Sequence, residues 1–254
     1  MTASLWGVDG YFPTASVWYP GPPETPSGVC SLASLAPVSM DGGGLLLGDN
    51  FTDPDETLAT EHVMDVSPST PWTSFEPEYQ GFVLYDGSLV SPEVSAIRGI
   101  YALQDNPAAS YEVNSISHVA VFTEDPFTCA LEVYVGTGDD SGALTLTFSR
   151  AELGGPISVL PHYFLTSYGN GDLEALTMPT CTWVEIEINL LLDLGNDLRR
   201  ASFTVNGVER FIEFSEDFWN LFTVNSVGIQ FTCTNTPSRG FRIADTALYM
   251  PSLG

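Results

Sequence analysis

Trp183, Glu185, Glu187 and Asn189 occupy every second position of one run, Trp183-Val184-Glu185-Ile186-Glu187-Ile188-Asn189-Leu190. In an extended strand this spacing puts those four on one face and Val184, Ile186, Ile188 and Leu190 on the other. Positions two apart on a strand are separated by about 6.6–6.8 Å, and the paired carboxylates of glycosidases by about 5–9.5 Å. Glu185 and Glu187 are therefore spaced for glycoside chemistry. The next position on that face is Asn189, which cannot supply a proton as a general acid. The expectation is a solvated outer face. The sharper reading is glycan contact, with Trp183 as a stacking platform and Glu185, Glu187 and Asn189 as polar partners.

A second candidate is the acidic stretch Asp49, Asp53, Asp55 and Glu56. Calcium takes roughly six to eight oxygen ligands, which carboxylates and carbonyls can supply. The spacing does not fit an EF-hand loop, so an ordinary acidic turn competes with a cation site. His62, His118 and His162 are scattered, without an H-E-x-x-H pair, and are expected to be structural. There is no G-x-S-x-G elbow, P-loop or dinucleotide fingerprint. Cys30, Cys129, Cys181 and Cys233 are widely spaced and contain no C-x-x-C, which argues against zinc. Buried free thiols are expected, with one disulfide as the alternative.

Thirty-two acidic residues face only seven arginines, Arg98, Arg150, Arg199, Arg200, Arg210, Arg239 and Arg242, and no lysine, for a formal net charge of -25. Charged residues are 15% of the chain, against about 25% for an average domain. What is unusual is missing base. Phosphate backbones are bound largely by Lys and Arg, so nucleic acid and anionic membranes are poor partners for this surface. A saline medium would tolerate the charge, because the Debye length falls to about 3 Å near 1 M salt. No basic-then-apolar leader follows Met1, and no apolar run reaches the ~18 residues of a membrane span. No signal peptide and no membrane insertion are expected.

The elements that must position these residues fall in two regions. Residues 1–44 carry Trp6, Tyr11, Phe12, Trp18 and Tyr19 among six prolines and end in Gly42-Gly43-Gly44. Proline removes ladder donors, and disordered segments are usually poor in aromatics. This region reads as an irregular docking arm, packed either on its own domain or on a neighbour. From residue 45 to 254, short alternating runs separated by turn residues read as one all-β domain. The runs begin at Gly81, Ala96, Tyr111, Cys129, Ala143, Trp183, Ala201, Glu209, Ser226 and Phe241. Gly169-Asn170-Gly171-Asp172 reads as a connection, Asn206-Gly207 as a two-residue hairpin turn, and Ser215 as the start of one short helix.

Five segments in order carry a resemblance: Gly48 to Leu58 with His62 and Trp72, Trp183 to Ile188, Phe203 to Gly207, Gly228 to Phe231, and Phe241 to Tyr249. Together they resemble the concanavalin A-like and laminin G-like jelly rolls of lectins, glucanases, and phage virion and tail-fibre proteins. The resemblance spans roughly 48–250 and implies a two-sheet antiparallel jelly-roll sandwich. Glucanases of this kind carry Glu-x-Asp-x-Glu on one strand, and Asn189 stands where their acid/base would be. A structural calcium of that family would fall on Asp49 and Asp245. The implied function is a non-catalytic virion structural protein, a head-decoration or fibre-type subunit contacting host surface glycans. Its arm would hold it to other virion proteins, as a homo-oligomer assembled in the host cytoplasm. The alternatives are a carbohydrate-binding lectin module of a cell and a glucanase-like hydrolase, the latter disfavoured by Asn189.

Overall fold

The computed structural model describes residues 44–66, 72–74, 81–92, 94–102, 112–136, 142–165, 168–215, 226–237 and 239–250. The arm up to residue 43 and the helix expected after Ser215 lie outside the described residues. The strands are β1 Leu45–Asp49, β2 Val83–Leu84, β3 Leu89–Val90, β4 Ser95–Ala102, β5 Val113–Val121, β6 Phe127–Gly136, β7 Gly142–Arg150 and β8 Ile157–Leu165. They continue as β9 Gly169–Asp172, β10 Leu176–Met178, β11 Val184–Gly195, β12 Leu198–Val205, β13 Val208–Ser215, β14 Ser226–Cys233 and β15 Phe241–Tyr249.

These strands form two antiparallel sheets. One has eight strands in the order β13-β12-β11-β5-β15-β3-β2, with β1 also on β15; the other has seven in the order β10-β8-β7-β6-β14-β4, with β9 also on β8. The all-β domain expected from alternation and the two-sheet jelly-roll sandwich implied by the resemblance are the observed architecture. Leu131, Val133 and Val135 of β6 and Ile186, Ile188 and Leu190 of β11 are buried between the sheets. Between them stand residues that face outward, as period-two strands require. Asn206 and Gly207 have φ of 51° and 78°, and Val205 pairs with Val208. That is the two-residue turn with two positive φ angles that Asn-Gly favours.

Two features differ from the expectation. The Gly169–Asp172 stretch is strand β9, paired with His162–Leu165. Gly171 permits it, because a Cβ there would sit 2.9 Å from the Tyr163 hydroxyl. Strand β8 escapes sequence reading because Pro161 interrupts its run. It is tolerated because the named ladders break there: β10 pairs with residues 157–159 and β9 with 162–165. Between them the Pro161 carbonyl accepts from Leu173 N–H at 3.1 Å.

The expectation of free thiols is also corrected. Cys129 and Cys233 stand directly opposite each other on β6 and β14, with Cα atoms 4.1 Å apart, and form a disulfide across 104 residues of sequence. Cys181 is disulfide-bonded as well. Register, which spacing in sequence does not reveal, brings Cys129 and Cys233 together.

Candidate functional site: polar rows on the two outer faces

Directly opposed residues of antiparallel strands share a face, so register alone places six polar residues in one row across the seven-stranded sheet. Gln230 of β14 pairs with Arg98 of β4 and with Glu132 of β6. Glu132 pairs with Thr145, Thr145 with His162, and His162 with Asp172. With strands about 4.8 Å apart, the row is about 24 Å long. Its members are fixed by one another. Arg98 Nη2 donates to Gln230 Oε1 at 3.1 Å, Thr145 Oγ1 to Glu132 Oε2 at 2.5 Å, and His162 Nδ1 lies 2.9 Å from Asp172 Oδ1. The row is half-buried through its centre, and His162 and Asp172 are exposed at its end.

Tyr134 walls one side of this row. Its ring lies across Gly228, where a Cβ would meet the ring at 2.3 Å, and the Arg98 guanidinium sits 5.7 Å from the ring centre. Leu160, exposed on β8, flanks the other side. Among the described residues the row holds two carboxylates, Glu132 and Asp172. Three strand spacings separate them, about 14 Å, beyond the ~9.5 Å limit for glycosidase pairs.

The residues singled out on β11 lie on the opposite side of the molecule, on the outer face of the eight-stranded sheet. Glu185 is exposed, and Trp183, Glu187 and Asn189 are half-buried. Asn189 Nδ2 donates to Glu187 Oε1 at 3.2 Å. Glu185 stands opposite His118 of β5, with 3.8 Å between Oε2 and Nε2. On the far side of the ring, Nδ1 lies 3.0 Å from Asp245 Oδ2. A β-bulge places Ala244 and Asp245 between the paired residues Ile243 and Thr246 of β15, which turns Asp245 outward toward His118. Sequence reasoning assigned His118 no site; its pairing with Glu185 is a matter of register.

Asp49 and Asp245 do not converge. Asp49 pairs with Thr246, whose hydroxyl meets Ser117 on the inner side at 2.8 Å, while Asp245 faces out to His118. Asp49 is fully buried and accepts from Trp72 Nε1 at 2.6 Å and from Phe51 N–H at 2.8 Å. His62 lies between two carboxylates, with Nε2 2.7 Å from Asp49 and Nδ1 2.8 Å from Asp53. Burial pushes the Asp49 pKa up, and these hydrogen bonds only partly reverse it. Burial lowers that of His62, but Asp53 and Asp49 outweigh it and leave the imidazole above its ordinary value. The acidic opening is thus an internal clasp: Trp72 fills the space beside Gly99, where a Cβ would meet it at 3.2 Å. The clasp closes the edge between β1 and β4.

No protein-family model matches the sequence, and no curated protein matches it. Solved structures share its fold. The CBM2 module of the evolved Dit of Lactobacillus casei BL23 phage J-1 superposes with a TM-score of 0.53 at 9% identity, over 83% of this chain and 97% of that one. The endo-β-1,3-glucanase of Pyrococcus furiosus gives 0.53 at 11% identity, over 82% and 95%. The carbohydrate recognition domain of Emp47p gives 0.50 at 10% identity, over 85% and 100%. The fold is therefore the concanavalin A-like jelly roll shared by lectins, carbohydrate-binding modules and glucanases. At these identities the likeness defines fold and leaves activity to the site.

Proposed function

We propose that this protein is a non-catalytic glycan-binding subunit of a virion, and that the glycan lies along the polar row of the seven-stranded sheet. The observation that carries the binding reading is the row itself. Arg98, Gln230, Glu132 and Thr145 are held in place by mutual hydrogen bonds, so a ligand rich in hydroxyls meets donors and acceptors that are already ordered. A few fixed polar groups beside an apolar wall are the usual means of orienting such a ligand. The separation of Glu132 and Asp172 and, on the other sheet, Asn189 beyond Glu187 support binding without hydrolysis.

The virion reading is supported by the arm's aromatics among prolines and by the likeness to a carbohydrate-binding module carried by a phage Dit protein. A glycan array probed with the full chain tests the first part. Specific binding is expected, and it is lost in Glu132→Gln and Arg98→Ala variants; equal binding by both variants refutes the row. Mass spectrometry of purified virions tests the second, and absence of this polypeptide at stoichiometric copy number refutes it.

A further inference from the structure

We propose that His118 and Glu185 form a cation clip for a first-row transition ion of the zinc class, on the face opposite the polar row. The two residues are direct cross-strand partners on β5 and β11. An ionised carboxylate only accepts hydrogen bonds, so the 3.0 Å contact with Asp245 puts the ring proton on Nδ1. In the neutral ring, Nε2 then carries a lone pair. It lies 3.8 Å from Glu185 Oε2, too far for a hydrogen bond between them.

A shared cation satisfies both groups. Zinc binds imidazole nitrogen and carboxylate oxygen at about 2.0–2.2 Å, so two ligands at a tetrahedral angle stand roughly 3.4 Å apart. The His118–Glu185 separation is close to that. Asp245 supplies the outer contact that orients a metal-binding histidine, on a side chain that is only 9% exposed. Glu185, 63% exposed, leaves the open side to water. Among the described residues no three ligands converge, so the clip has two protein ligands, and its remaining positions are open. The nitrogen ligand selects ions of the zinc, nickel and copper type over calcium and magnesium, which prefer oxygen alone.

The experiment titrates chelator-treated full-length protein with zinc chloride by calorimetry, and with cobalt chloride for its visible spectrum. His162→Ala serves as the reference chain, because the exposed His162–Asp172 pair offers zinc a second place to bind. The reference should take up one zinc per chain and resist calcium in excess. Glu185→Gln, a change at an exposed position, should weaken zinc by about tenfold or more while the circular dichroism spectrum is unchanged, and Asp245→Asn by roughly 10–100-fold. No zinc uptake by the reference chain at about millimolar concentration overturns the proposal. So does an affinity that Glu185→Gln leaves unaltered, or equal competition by calcium.

Discussion

Trp72 Nε1 donates to Asp49 Oδ2 at 2.6 Å, joining residues 23 apart in sequence, and His62 grips the other oxygen of the same carboxylate at 2.7 Å. Both nitrogens of the His62 ring face carboxylates, so holding the proton on this buried clasp favours the fold.

The pH dependence of stability follows. The folded-state pKa of His62 lies above its ordinary 6.5 and that of Asp49 above 3.8, so both bind protons more tightly when folded. Their contribution is complete below the unfolded values and is lost as pH rises through the folded ones. The melting temperature should fall as pH rises above the ordinary histidine value of 6.5, and His62→Gln should flatten that fall. An identical pH slope in the variant would show that the clasp does not titrate in this range.

Arg150 should be costly to remove. It is 3% exposed, and its guanidinium joins three loops: Nε donates to the Gly155 carbonyl at 2.8 Å, Nη1 to the Thr123 carbonyl, and Nη2 to Thr180 Oγ1 at 2.5 Å. Arg150→Met keeps the stem and strips the donors. A loss of about 1–3 kcal/mol in denaturant unfolding is expected, with Arg150→Lys intermediate.

Reducing Cys129–Cys233 opens a covalent link that spans 104 residues. On the chain-entropy account, a loop of that size contributes about 4–5 kcal/mol. The Cys129→Ala/Cys233→Ala chain should unfold at correspondingly lower denaturant, and reductant should lower its midpoint by less than it lowers that of the parent, since the bond at Cys181 is common to both.

Gly228→Ala tests the wall of the polar row. The new methyl would stand 2.3 Å from the Tyr134 ring, so the ring must move, at about 1–3 kcal/mol. Glycan binding should weaken with it, by more than the change in folding stability alone explains at saturating folded protein.

A formal net charge of -25 with no lysine makes self-repulsion a large destabilising effect at low ionic strength. Sodium chloride should raise the melting temperature steeply up to about 1 M, where screening acts within a few ångströms. A melting temperature independent of salt would show that the charges are already locally compensated.

Alternation made most long strands legible: the runs at Tyr111, Cys129, Ser226 and Phe241 are β5, β6, β14 and β15 within a few residues. The Asn206-Gly207 turn was equally plain, because only its φ angles matter. Strand β8 was hidden by Pro161, whose tolerance depends on which neighbours flank it. The face of Glu185 and Asn189 was readable from period two, but their neighbours were not. His118 beside Glu185, Asp49 beneath Trp72, Cys129 opposite Cys233 and the six-residue polar row are all products of register between distant strands. One chain without its pairings does not encode that in any local pattern.

The broken edge beyond β8 has a further consequence. A continuous strand there would offer a long run of unpaired backbone groups to any chain able to add itself. Instead the sheet ends in two strands of four and three residues, offset around Pro161, and neither is long enough to template a partner. Copies of the chain that meet at this edge therefore find no long ladder to extend, and the proline ring that costs β8 one hydrogen-bond donor removes part of the template for sheet-to-sheet pairing.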